Sequence, residues 1–290
     1  MPTRTGLVAA ILAMTTGLAL ADGVEKYAAP AAAAAPAAKP DLQITGNVAA
    51  TTNYVFRGFS QSAQNPAVQG GVDVTYKVFY AGLWASTIDF GRDGGTPNSA
   101  GRDIAHREVD FYFGVKPVLG PVTFDVGMIA YTYPGAFDGH GATLNQNIDY
   151  YEFKAGASVT PWKDATAGLT AFYSPSYFNG TGAVTTIEGA LSQTLGKIGP
   201  MVPTLGGTLG YQTGDSMRYR QLYLNFESDN FIYWNAGVTL GFGDNFSLDL
   251  RYWDTNLKDN NLAGGGVANF CTGAVYRCDE RFVATAKVTF

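Results

Sequence analysis

The chain has 290 residues, a formal net charge of −5 and only 15% charged residues. Soluble surfaces usually carry roughly a quarter, and past the N-terminus no run reaches the about 18 apolar residues that a spanning helix needs. An acidic chain without basic clusters also argues against nucleic acid as a partner. With 17 Tyr, 18 Phe and 36 Gly, the composition suits a membrane barrel, in which half the strand positions face lipid and half a polar lumen.

Residues 1–21 carry Arg4, an apolar run from Gly6 to Leu18, and Ala19-Leu20-Ala21. These are the three parts of a secretory signal, with cleavage expected after Ala21 and export of the remainder. Residues 22–40 are rich in Ala and interrupted by Pro30, Pro36 and Pro40. Proline breaks helix and nothing large is present to bury, so this stretch reads as a periplasmic linker.

From residue 41 to 290 the pattern becomes alternating strands separated by turn residues. Twelve stretches qualify: 42–56, 67–78, 80–90, 106–117, 121–133, 149–160, 165–175, 183–195, 203–213, 230–242, 245–256 and 280–290. Short links at Phe79, 119–120, 161–164 and 243–244 alternate with long ones at 57–66, 91–105, 134–148, 214–229 and 257–279. The links 176–182 and 196–202 are similar in length, and 222–226 could extend a strand or form another. Alternation of short and long connections identifies an up-and-down transmembrane antiparallel β-barrel, and an even strand count puts both termini on the short-turn, periplasmic side. Tyr54, Phe56, Tyr80, Phe90, Tyr131, Tyr133, Tyr150, Tyr151 and Tyr173 gather near strand ends, as interfacial girdles do.

In the last stretch Phe282, Ala284, Ala286, Val288 and Phe290 share one face. As an exposed edge it would invite aggregation, but a closed barrel has no edge. A strand ending in Phe resembles the segment by which outer-membrane barrels are recognised, which makes Phe290 the expected assembly signal and the barrel assembly machinery an expected partner.

A series of blocks is also familiar: Thr52-Asn53-Tyr54-Val55-Phe56-Arg57-Gly58-Phe59-Ser60-Gln61, then Pro66 to Gly71, Tyr80 to Ser86, Glu108-Val109-Asp110, and Asp249 to Thr255. From about Leu42 to Phe290 this series resembles the TorF porin family of proteobacterial outer-membrane proteins, with Tyr-x-Phe-Arg-Gly as its most specific part. The resemblance implies an outer-membrane barrel with a channel role and names no solute.

The parity opposite the apolar one carries Asp89, Glu108, Asp110, Asp125, Glu152, Glu188 and Asp249, with Lys116, Lys154, Arg251 and Lys287, and Arg57 at the outer end of strand one. Arg or Lys at mid-depth on the lipid face would cost about 2–4 kcal/mol each, so their collection here marks the lumen. Such a lining can filter ions or small polar solutes, with at most a weak cation preference. Equally, these charges can pair and plug a narrow barrel, as Asp249 or Glu108 could with Arg251 or Lys116.

Cys271 and Cys278, close together in the last long link, read as a disulfide in an exported protein. No metal or cofactor is expected. An enzyme would need a nucleophile and base, yet the histidines are only His106, on the Glu108 parity, and His140, and no Gly-x-Ser-x-Gly elbow occurs. The expected function is a non-enzymatic porin-like channel for small polar solutes or ions, surrounded by outer-membrane lipid. The alternatives are a non-conducting structural or receptor barrel acting through its outer loops and, behind that, a lipid-modifying enzyme.

Overall fold

The computed structural model describes residues 41–93, 102–136, 148–217, 219–220, 228–257, 271 and 276–290. The expected signal and linker, His140 and the ambiguous 222–226 lie outside the described residues. Twelve long strands form the wall. They are β1 (Leu42–Thr51), β2 (Ala67–Tyr76), β3 (Phe79–Thr87), β4 (Arg107–Val115), β5 (Val122–Thr132) and β6 (Tyr150–Val159). β7 (Ala165–Ser174), β8 (Val184–Thr194), β9 (Met201–Gly214), β10 (Asn230–Phe242), β11 (Phe246–Thr255) and β12 (Arg281–Thr289) follow.

Each strand pairs antiparallel with its sequence neighbours, the two-residue segment Val118–Leu119 adds to β5, and β12 returns to β1. The closing register sets Asn47 opposite Thr289 and Thr51 opposite Thr285. Residue 290 extends this seam, with Phe290 N–H donating to the Gly46 carbonyl at 2.9 Å and the Gly46 amide donating back at 2.8 Å. The Phe290 ring lies over Gly46 so closely that a Cβ there would come within 2.6 Å of it.

Period-2 alternation explains the two faces. Ile44, Phe113, Leu169, Leu209 and Phe282 point outward and are 66%, 58%, 60%, 60% and 82% exposed. An apolar surface of this extent exceeds what soluble monomers tolerate. Inward positions carry Asp110, Glu152, Thr186, Glu188, Gln212 and Arg251, all buried.

Connections alternate strictly between the two ends. The links at 77–78, 116–121, 160–164, 195–200 and 243–245 share one end, and each holds a left-handed residue: Lys77, Gly120, Asp164, Gly199 or Gly243. The two links of ambiguous length therefore separate, 195–200 to the short-turn end and 175–183 to the long-loop end.

One expected strand is corrected. The stretch 42–56 does not run on as a single stave, because β1 stops at Thr51 and Val55–Phe56 pairs with Phe59–Ser60 as a separate small hairpin. The hairpin turns inward, and Val55, Phe56, Phe59 and Ser60 are all buried.

The girdle expectation is corrected too. Tyr151 and Tyr173 do face outward, at 37% and 46% exposed, but Tyr54, Phe56, Tyr80, Phe90, Tyr131, Tyr133 and Tyr150 are buried. Most of the strand-end aromatics point into the barrel: Tyr80 sits toward the short turns, and the others pack as a layer at the long-loop end.

Candidate functional site

The interior has two levels. The level nearer the long loops is filled. Phe59 meets Phe231 edge-on at 5.3 Å, Tyr131 stacks on Tyr150 at 4.4 Å, and Phe90 touches Tyr133, Phe178 and Tyr276 at 5.3, 5.7 and 5.1 Å. The cavity left among Phe56, Arg57, Tyr150, Tyr177 and their neighbours is about 30 Å³, room for about one or two waters and not for a solute. Burial, with the charge of Asp89 adding to it, pushes the Tyr276 phenol well above its ordinary value. The same causes act on Tyr54, where burial leads and Glu108 and Asp110 follow.

Arg57 was expected at the outer end of strand one. The structure places it instead at the tip of the inward hairpin, 1% exposed. Its Nη1 and Nη2 donate to the two Glu152 carboxylate oxygens, each at 2.8 Å. Its Nε lies 3.8 Å from Glu188, and its Cζ sits 4.8 Å from the Phe56 ring and 4.9 Å from the Phe172 ring. Planar, forked guanidinium suits both the bidentate carboxylate and the two aromatic faces. The Tyr131 hydroxyl donates to Glu152 at 2.8 Å, and that of Tyr233 donates to Glu188. Tyr233 reaches there because Gly210, on the neighbouring strand, offers no Cβ to obstruct its ring.

Closer to the short turns lies a second set. Asp125 accepts hydrogen bonds from Lys154 Nζ at 2.9 Å and from the Tyr80 hydroxyl at 2.7 Å, and Lys116 Nζ forms an ion pair with it at 3.5 Å. Both lysines also lie over the Tyr80 ring, at 5.0 and 5.3 Å. Across the lumen Arg251 forks onto Asp249 at 3.0 and 2.8 Å and donates to Asn235 Oδ1 at 2.8 Å. Formally the Arg57 cluster carries −1, the Asp125 cluster +1 and the Asp249–Arg251 pair 0. The three together are neutral.

Of the expected lumen residues, Arg57, Asp110, Glu108, Lys116, Asp125, Glu152, Lys154, Glu188, Asp249, Arg251 and Lys287 all face the interior. Expected pairing holds for Asp249 with Arg251, whereas Lys116 joins Asp125. Lys287 is half-buried on the lumen parity, opposite Ala49 and Ser247. Asp89 is a correction. It lies past the end of β3 at Thr87 and off the barrel wall, half-buried, with its carboxylate accepting the Gly91 amide at 2.9 Å and its own amide donating to the Gln61 carbonyl at 2.9 Å. His106 also departs from expectation, since it precedes β4 and lies 56% exposed beside Asp103 at 3.3 Å.

Two interior residues escaped sequence reading. Asp73 accepts the Tyr112 hydroxyl at 2.6 Å, and the ring of Tyr112 lies across Gly82. Asp73 alternates with outward Val72 and Val74, so the parity signal was available.

Cys271 and Cys278 are bonded, with Cα atoms 5.2 Å apart. Both are buried, and this loop is tied to the inward hairpin through Ser60 N–H donating to the Arg277 carbonyl at 3.0 Å. Thr255 Oγ1 donates to the Cys278 carbonyl at 2.8 Å. Replacing both cysteines by Ser should lower stability by about 2–3 kcal/mol on the chain-entropy account of a small ring. Urea unfolding in lipid, with and without reductant, measures it, and an unchanged midpoint would contradict the strap.

No curated protein matches the chain. Among solved structures it is similar to the NanC porin in a rhombohedral crystal form, at 13% identity and TM-score 0.47, covering 84% of this chain and 98% of that one. The KdgM porin gives 8% identity and TM-score 0.49, covering 85% and 98%. LpxR from Salmonella typhimurium gives 11% and 0.43, covering 85% and 99%. The family model that matches spans residues 33–290, and the chain belongs to that family, Gcw_chp, described as bacterial protein of unknown function.

Proposed function

We propose that this protein is an outer-membrane, porin-like channel for small polar solutes or ions, akin to the TorF porins that its Tyr-x-Phe-Arg-Gly block resembles. The observation that carries this reading is a polar, charge-bearing interior inside a closed wall with an apolar outer face. Lipid is the solvent that such a face requires. Export through a signal ending at Ala21, recognition of the Phe290 strand by the assembly machinery and short turns in the periplasm complete the reading.

Near-neutral pairing of the interior charges supports weak ion selectivity, at most slightly for cations. The reading is of a channel and not of an enzyme. A second reading, a non-conducting structural or receptor barrel, is favoured by the filling of the long-loop half.

Planar-bilayer recording separates the two. The channel reading predicts discrete conductance steps, infrequent in the intact protein because of the filled layer, with a reversal potential near zero across a salt gradient. Clear anion selectivity would contradict the assignment of the lining.

A further inference from the structure

The hairpin that enters the barrel is built against its own backbone preference. Val55–Phe56 and Phe59–Ser60 pair across Arg57 and Gly58, whose φ angles are 49° and 85°. Successive positive φ angles make a turn for which Asn-Gly is the favoured sequence, and a long side chain in the left-handed region is disfavoured. The chain nevertheless places there an arginine that is 1% exposed. A residue that violates local preference at a buried tip is a candidate for function.

The loop around the tip holds itself together. Asn53 Oδ1 accepts Ser60 Oγ at 2.7 Å and Ser62 Oγ at 3.2 Å, Ser62 Oγ accepts the Tyr54 amide at 3.0 Å, and Ser60 Oγ accepts the Gln64 amide at 2.9 Å. Withdrawing the loop as a unit would leave these bonds intact. Its charged attachment to the barrel wall is concentrated in Arg57, on Glu152 and Glu188. The connection 52–66, at roughly 3.3 Å per residue, is long enough to carry its tip out of the lumen without unpairing β1 or β2.

We propose that the 55–60 hairpin is a displaceable plug, that Arg57 on Glu152 and Glu188 is its latch, and that solutes pass only when the latch is released. The proposal rests on the channel reading above. The filled layer is then the gate of the channel.

The test is planar-bilayer recording of the full chain and three variants, each first shown to be folded by heat-modifiable gel mobility. Arg57→Asn suits the turn and removes the guanidinium. Glu152→Gln with Glu188→Gln releases the latch from the wall side, so a failure of either variant to fold leaves the other. The third replaces 53–65 with a short Gly-Ser connector and has no plug. The plug-free barrel should conduct continuously, and each latch variant should raise the open probability of the intact protein by at least about tenfold, since shielded charge pairs are worth more than that factor. A conducting plug-free barrel with latch variants indistinguishable from wild type would overturn the latch and leave the channel reading standing. Wild type conducting as strongly as the plug-free barrel would overturn the latch as well. A folded plug-free barrel that is silent would overturn the channel reading, and the plug proposal with it.

Discussion

Arg57→Ala should undock the 55–60 hairpin and accelerate hydrogen exchange at the Ser60 and Asp89 amides by about two to three orders of magnitude. In the intact protein these amides donate to the carbonyls of Arg277 and Gln61, at 3.0 and 2.9 Å. Both bonds exist only while the hairpin is docked among its neighbouring loops. Removing the guanidinium leaves Glu152 and Glu188, 0% and 1% exposed, without their cation. Lys154 cannot substitute because it is engaged 2.9 Å from Asp125. Stranding one side of a buried ion pair costs about 3–5 kcal/mol, and each 1.4 kcal/mol is about a tenfold change in population. Unchanged exchange would mean that the hairpin is held by its aromatic packing alone.

The second large effect is expected at Gly58. Its φ of 85° lies where only glycine is at ease, and an added Cβ would run into the Thr255 methyl and the Tyr233 Cβ. Left-handed geometry costs an L-residue about 1–2 kcal/mol, and overpacking adds about 1–3 kcal/mol. Gly58→Ala should therefore destabilise the docked hairpin by about 2–5 kcal/mol, summing the two contributions. Gly120→Ala is the matched control, since Gly120 has φ of 59° in open space. It should cost only the backbone share, about 1–2 kcal/mol. Equal losses at the two sites, read from urea unfolding and amide exchange, would deny the close approach of Gly58 to β11.

How much of this was legible follows from what period-2 alternation encodes. Alternation fixes a face, so the staves and the inward parity of Asp125, Glu152 and Arg251 could be read directly. It also placed Tyr150 with Glu152 and Tyr131 with Asp125, which made both inward. Grouping them by their nearness to strand ends, as a girdle, overrode a parity that was correct. Tyr151 and Tyr173, on the other parity, are the ones that face outward.

The hairpin was harder to see. Tyr54, Val55 and Phe56 are residue types that favour strand, and Arg57 is an unusual first residue for a two-residue turn. Its depth depends on a loop folding back on the wall, which no local period records. Partner choice was hidden for a related reason. Arg57 and Glu152 are 95 positions apart, and meet only once the whole register is set. Asp249 and Arg251, two apart on one strand, were predictable as neighbours for the opposite reason.

Arg57 and Glu152 bind each other inside the barrel through two hydrogen bonds of 2.8 Å. A double-mutant cycle tests this pairing most directly, using Arg57→Met, Glu152→Gln and their combination, read as the exchange free energy at the Ser60 amide in lipid. A bidentate pair in this dry layer predicts a coupling above about 1.5 kcal/mol. Additive single-variant losses, with coupling indistinguishable from zero, would contradict it.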